Sequence, residues 1–154
     1  MEYLIAKWLH ILFSTFLFGT GVGSAFYLFF STLQRNTTVV AGVAQLVVRA
    51  DWLFTATTVV LQPLSGIYLV HLLGHPLSAR WLQWSIVLYV IAIGCWLPVV
   101  WLQIRMRNSA QAAARLGEPL PREFWRCFYL WVALGIPALI AFLIIFWLMV
   151  ARPL

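Results

Sequence analysis

The chain predicts an all-α protein: a four-transmembrane-helix bundle, both termini on one side, with kinks at Pro63, Pro98 and Pro137. Three observations carry that prediction. Apolar residues fill 64% of the 154 positions and charged residues only 9%, a composition of membrane proteins rather than soluble cores. The apolar residues fall into four runs, about 4–30, 52–73, 81–104 and 124–150, each long enough to cross roughly 30 Å of hydrocarbon as a helix. Trp8, Trp52, Trp81, Trp101, Trp125 and Trp147 sit near the run ends, where amphipathic rings settle at headgroup level. With no water in the hydrocarbon, a lone strand would leave its backbone unsatisfied, so each run is read as helix. A single integral domain, residues 1–154, accounts for the length.

The first run carries no charge after Lys7 and is too long for the apolar core of a signal peptide, so it is expected to be retained. His10 lies inside it. At about 100° per residue, His10, Ser14, Leu17, Gly21 and Ser24 share one stripe. That stripe is polar or small apart from Leu17, so it is expected to face the bundle. Gly19 and Gly23 form a small-xxx-small pair, read as packing within the bundle, with a homodimer as the alternative.

Residues 31–51 are read as a connection in which Thr37 and Thr38 cap a helix through Ala44 that runs on into the second span. On that span Asp51, Thr55, Thr58, Gln62 and Ser65 or Gly66 share one face at spacings of three and four, expected to look inward. Gln62 lies near mid-membrane, where its amide needs partners. Pro63 removes a backbone hydrogen bond beside it. Gln62 therefore either lines a pocket or bonds a neighbouring helix.

His71 closes the second span. Gly74 suits the helix end, and Pro76 stops the helix. The short link makes spans two and three antiparallel neighbours. In the third span Ser85 is placed to bond its own helix carbonyl. Residues 107–122 include the helix-favouring Ala110-Gln111-Ala112-Ala113-Ala114-Arg115, stopped by Gly117 and Pro119. Cys95 and Cys127 are too far apart in sequence for a CxxC pair and read as small buried hydrophobes.

The net charge is +6, but the basic residues lie in connections, so they speak to topology and headgroups. Nucleic acid is excluded as a partner, because no basic soluble face exists. Seven of the ten cations, Arg35, Arg49, Arg105, Arg107, Arg115, Arg122 and Arg126, fall in the two longer connections. The positive-inside bias puts those connections in the cytoplasm of a bacterial inner membrane and both termini in the periplasm. Glu2, Asp51, Glu118 and Glu123 lie at or outside the interfaces, so no paired carboxylates serve acid–base chemistry. No Ser/His/acid set shares one depth, which excludes triad hydrolysis.

Ionisable groups within spans are functional by default, so His10 is a candidate haem or metal ligand; a neutral histidine bonded to a neighbouring helix is the alternative. His71 lies at a similar depth and could share an iron with it, although it sits about 900° past Gln62, half a turn off that face. Ser14 and Gln62 are candidates for the surrounding pocket.

Lys7-Trp8-Leu9-His10, Gln62-Pro63-Leu64-Ser65-Gly66, Trp81-Leu82, Trp96-Leu97-Pro98-Val99-Val100-Trp101-Leu102-Gln103, Arg122-Glu123-Phe124-Trp125-Arg126 and Ala151-Arg152-Pro153 resemble a family of predicted integral membrane proteins of unknown function along the whole chain. More distantly, the layout is similar to HemJ-type protoporphyrinogen oxidases and CopD-type copper-resistance membrane proteins. The HemJ-type resemblance implies haem b, with His10 in the place of the first-span histidine, and a haem-dependent membrane oxidoreductase with a redox partner. The third-span lysine of those enzymes falls on or beside Ser85, and Lys7 is the only lysine here. That departure sets the oxidase reaction apart from haem binding. Copper has no evident soft-ligand cluster among Met106, Cys95 and Cys127. The alternative function is a cofactor-free membrane subunit or a small-solute or metal carrier.

Overall fold

A computed structural model describes residues 1–152; Pro153, quoted in the closing motif, lies outside them. The described residues form helices and turns with no strand: α1 (Glu2–Leu33), α2 (Thr37–Ala50), a π-helical turn (Asp51–Thr55), α3 (Ala56–Leu72), α4 (Arg80–Leu116) and α5 (Arg122–Ala151). Four rods are long and apolar enough to cross a membrane: Glu2–Leu33, Thr37–Leu72, Arg80–Leu116 and Arg122–Ala151. The outward side chains are apolar all round, with Phe26, Leu64, Ile67, Val90 and Leu143 exposed, as lipid rather than water requires.

The rods are longer than the apolar runs. The connection at 31–51 is mostly helix: α2 passes through the π turn into α3 without a break. Its N-cap is Asn36, not Thr37 or Thr38; the Asn36 side chain accepts from the Val39 N–H at 3.1 Å, satisfying one of the orphan donors of the first turn. Residues 107–116 continue α4 because alanines sustain the helix. Gly117 then ends it in the left-handed region at φ +68, with the Glu118 N–H bonded to the Ala113 carbonyl at 2.9 Å, as the sequence led one to expect. Gly74 ends α3 at φ +64 in the same way.

Glu2 meets Tyr68, and Arg152 stacks over Trp81 at 5.5 Å, so the termini and the α3–α4 turn share one end. At the other end Arg35, after α1, lies over Trp125 of α5 at 5.8 Å. Both longer connections, and the arginines around them, therefore share one basic end.

Packing is uneven between the two ends. At the basic end α2 lies tightly on α4, where Ala41 and Ala44 meet a face carrying Met106 and Ala110. Small residues let the backbones approach. Phe124, Leu28, Met106 and Val40 are fully buried there, and Cys127 joins that core while Cys95 is half-buried. Beyond it α1 pairs with α3 and α4 pairs with α5, while the two pairs make little backbone contact with each other. The short link joins α3 to α4, yet it is α2 that packs on α4. Gly19 and Gly23 have nothing within 4 Å of where a Cβ would stand, so they do not form the close intrabundle contact expected of that pair.

Pro63, Pro98 and Pro137 lie inside continuous helices. Pro63 has no N–H to give the Val59 carbonyl. The Tyr89 hydroxyl of α4 donates to that carbonyl instead, at 2.6 Å.

Candidate functional site

Two polar constellations lie within the bundle. The first joins α1 to α3, which run antiparallel through a ladder of Glu2 with Tyr68, His10 with Gln62 and Ser65, and Phe16 stacked on Phe54. His10 Nδ1 lies 2.8 Å from Ser65 Oγ, and His10 Nε2 lies 3.2 Å from Gln62 Nε2. The Ser65 hydroxyl donates its own hydrogen to the Gln62 carbonyl at 3.0 Å. It can therefore only accept from His10, which puts the ring proton on Nδ1 and leaves Nε2 to accept from the Gln62 amide. A Cβ at residue 66 would stand 3.2 Å from His10 Cε1, so Gly66 is what lets the helix come against the ring.

The expected stripe on α1 does face the bundle: Leu17 and Ser24 are buried and His10 is bonded inward. Of the residues singled out beforehand, the structure joins His10 to Gln62. Ser14 bonds its own helix at the Ile11 carbonyl, 2.8 Å away, and His71 is exposed. Ser85 is buried and donates to the Trp81 carbonyl at 2.7 Å, as read from the sequence.

This arrangement does not fit a haem as it stands. The lone pair an iron would take is engaged by Gln62, the backbone at Gly66 crowds the ring, and His71 is turned to the outside. Among the described residues no three His, Cys, Asp or Glu side chains gather as a metal site.

The second constellation lies where the two helix pairs part. A chamber of about 380 Å³ runs between α1, the π turn, α4 and α5, within the size range of small-molecule sites. Aromatic contacts bound it at each end: Phe18 against Phe142 and Phe146 (6.4 and 5.1 Å), and Phe29 stacked on Phe128 at 5.7 Å. Phe18 and Phe29 are eleven residues apart on α1, roughly 16 Å. Val22 and Phe26 of α1 and Ile136 and Leu139 of α5 line the chamber yet are exposed on the outside, so its mouth opens between α1 and α5, toward lipid.

The lining is apolar except for Ser24, which bonds its own helix at the Gly21 carbonyl, and one polar patch. There the π turn directs Asp51 and Thr55 inward, and α4 contributes Gln103 and Trp96. The extra residue per turn makes such turns frequent at functional sites. Asp51 and Gln103 are each only 4% exposed. The Thr55 hydroxyl donates to Asp51 Oδ1 at 3.0 Å. Asp51 Oδ2, Gln103 Oε1 and Trp96 Nε1 are buried with no hydrogen-bond partner among the described residues.

A family model described as a predicted integral membrane protein, DUF2269, matches residues 4–153. The chain belongs to the DUF2269 family. No curated protein and no solved structure matches it. The match takes in both constellations of this DUF2269 member, His10 with Gln62 and Asp51 with Gln103 and Trp96. Sequence reasoning placed Asp51 and Thr55 on an inward face but gave no role to Trp96 and Gln103, which stand at the two ends of a motif quoted for the family resemblance. Their signal was the stripe Ala92, Trp96, Val99, Gln103, Met106, Ala110 at spacings of three and four, on which Gln103 is the one amide.

Proposed function

We propose that this DUF2269 protein binds a small amphipathic molecule inside the membrane, taking it through the lateral mouth between α1 and α5 as a carrier or as the binding subunit of a larger assembly. The observation that carries this reading is the trio of buried, unpartnered polar atoms, Asp51 Oδ2, Gln103 Oε1 and Trp96 Nε1, on one apolar chamber. Unsatisfied buried groups cost about 1–3 kcal/mol each, and a bound head group would remove that cost. We place the protein in a bacterial inner membrane with the basic end in the cytoplasm, by the positive-inside bias of seven arginines against three other cations.

The test is binding of naphthylmethanol, an apolar body with a neutral polar head, to the protein in phosphatidylcholine nanodiscs. Gly21 and Gly135 line the chamber and have open space at the Cβ position, so Gly21→Leu and Gly135→Leu fill it. Saturable binding lost in both variants supports the reading. Binding unchanged in folded variants, or none in the parent protein, overturns it.

A second reading, a b-type haem on His10 in a HemJ-like redox protein, draws on one observation. Ser65 holds the Nδ1 proton, which leaves Nε2 as the ligating nitrogen. It requires Gln62 to swing off that atom. A Soret band in protein from haem-sufficient cells, lost in His10→Ala, supports it; a colourless protein that stays so on haem titration overturns it.

A further inference from the structure

We propose that the molecule bound in the chamber carries a protonated amine, seated between Asp51 and Gln103, with an oxygen that accepts from Trp96. The inference rests on the chamber reading above and specifies its head group.

The unpartnered atoms are not interchangeable. Asp51 Oδ2 and Gln103 Oε1 are acceptors, whereas Trp96 Nε1 is a donor. Complementing them takes a group with at least two N–H or O–H donors beside one acceptor. A primary ammonium has three donors and no lone pair. A hydroxyl has a single donor and serves only one of the two acceptors. A carboxylate offers none and would meet Asp51 with like charge.

Charge points the same way. The Thr55 hydroxyl serves Asp51 Oδ1 and the Gln103 side chain also supports the carboxylate, but neither brings a charge. Among the described residues the ion pair present is Arg105 with Glu123, both exposed, and no cation of the chain meets Asp51. An ionised carboxylate held in an apolar wall calls for a counter-charge. Trp131 and Phe29 line the same chamber, and aromatic faces attract cations. The apolar remainder of the chamber and its lipid-facing mouth suit the hydrocarbon or ring body of the same molecule. The competing arrangement is a protonated Asp51, which needs no cation and gives an amine no advantage.

A lipophilic amine reaches such a site either as a diffusing solute or as the head group of an aminophospholipid. The test uses three probes on one body, naphthylmethylamine, naphthylmethanol and naphthoate, titrated against the protein in phosphatidylcholine nanodiscs with empty discs subtracted. The amine is expected to bind the parent protein about tenfold or more tighter than the alcohol, and naphthoate weakest. In Asp51→Asn the amine should fall to the level of the alcohol, whose own binding persists. Should Asp51→Asn not accumulate, Gln103→Leu is expected to narrow the same ratio. Repeating the amine titration with phosphatidylethanolamine in the discs separates the sources. Competition assigns the amine to the bilayer, its absence to a solute, and either result keeps the proposal. Equal binding of amine and alcohol overturns the head group and leaves the chamber reading standing. Failure of all three probes overturns both.

Discussion

The Tyr89 hydroxyl of α4 donates to the Val59 carbonyl of α3 at 2.6 Å, replacing the backbone bond that Pro63, four residues on, cannot make. This bond joins two helices that otherwise make little backbone contact. Tyr89→Phe is expected to lower stability by about 1 kcal/mol, since it strands a carbonyl where water is scarce. Pro63→Ala restores the N–H, so in that background Tyr89→Phe should cost close to nothing. Unfolding of the four proteins in mild detergent gives the cycle. A Tyr89→Phe penalty that stays the same in the Pro63→Ala background would falsify the repair.

His10 is held from both sides, and the two sides differ in kind. Ser65 accepts from Nδ1 and Gln62 donates to Nε2. Ring nitrogen shifts of labelled His10 should therefore report the Nδ1–H tautomer, and Ser65→Ala should lose that preference. The coupling energy between His10→Ala and Gln62→Ala is expected at about 0.6 kcal/mol, the average for hydrogen bonds between membrane helices, and below their maximum of about 1.7 kcal/mol. Strictly additive mutations, or an Nε2–H tautomer in the parent, would show that the contact is not the one described.

Much of this was legible from periodicity. The five residues from Asp51 to Ser65 fall on one inward face by spacing alone. Asp51, Thr55 and Thr58 are buried, while Gln62 and Ser65 meet His10. A stripe shows which way a side chain points, but not what stands opposite. That is why the sequence singles out Gln62 yet leaves its pairing with His10 open against a haem. It is also why the chamber is not foreseen: it exists because α1 and α5 part, and no single helix encodes a gap. The lengths of the helical rods are understated by the apolar runs for a simpler reason. Apolar content marks the part of a helix that lipid covers, whereas Asn36 and Gly117 mark where helices begin and end.

Those two ends yield a direct stability test. Asn36 caps α2 through its side chain, and Asn36→Ala should cost about 1 kcal/mol. Gly117 sits at φ +68, where a Cβ meets the following carbonyl, so Gly117→Ala should cost about 1–2 kcal/mol. Gly94→Ala serves as the control, because that glycine lies within α4 with open space at its Cβ position; it should be neutral or stabilising. Thermal unfolding in one detergent compares the three. If Gly117→Ala matched Gly94→Ala, the left-handed helix end would not be the stop it is taken for.

The arrangement of ends fixes a labelling pattern. Gln34 follows α1 and Glu118 follows α4, and the Arg35–Trp125 contact brings their connections to one end. Ser78 lies in the turn at the other end. With Cys95 and Cys127 replaced by alanine, single cysteines are introduced as Gln34→Cys, Glu118→Cys and Ser78→Cys. With the orientation proposed above from the positive-inside bias of the arginines, an impermeant maleimide applied to intact cells should label Ser78→Cys alone, and the other two only after permeabilisation. The mirror result, Gln34→Cys and Glu118→Cys labelled and Ser78→Cys protected, would keep the fold and reverse the orientation. Labelling that separated Gln34→Cys from Glu118→Cys would contradict the fold itself, since no bundle of four antiparallel crossings puts those two connections on opposite faces of a bilayer.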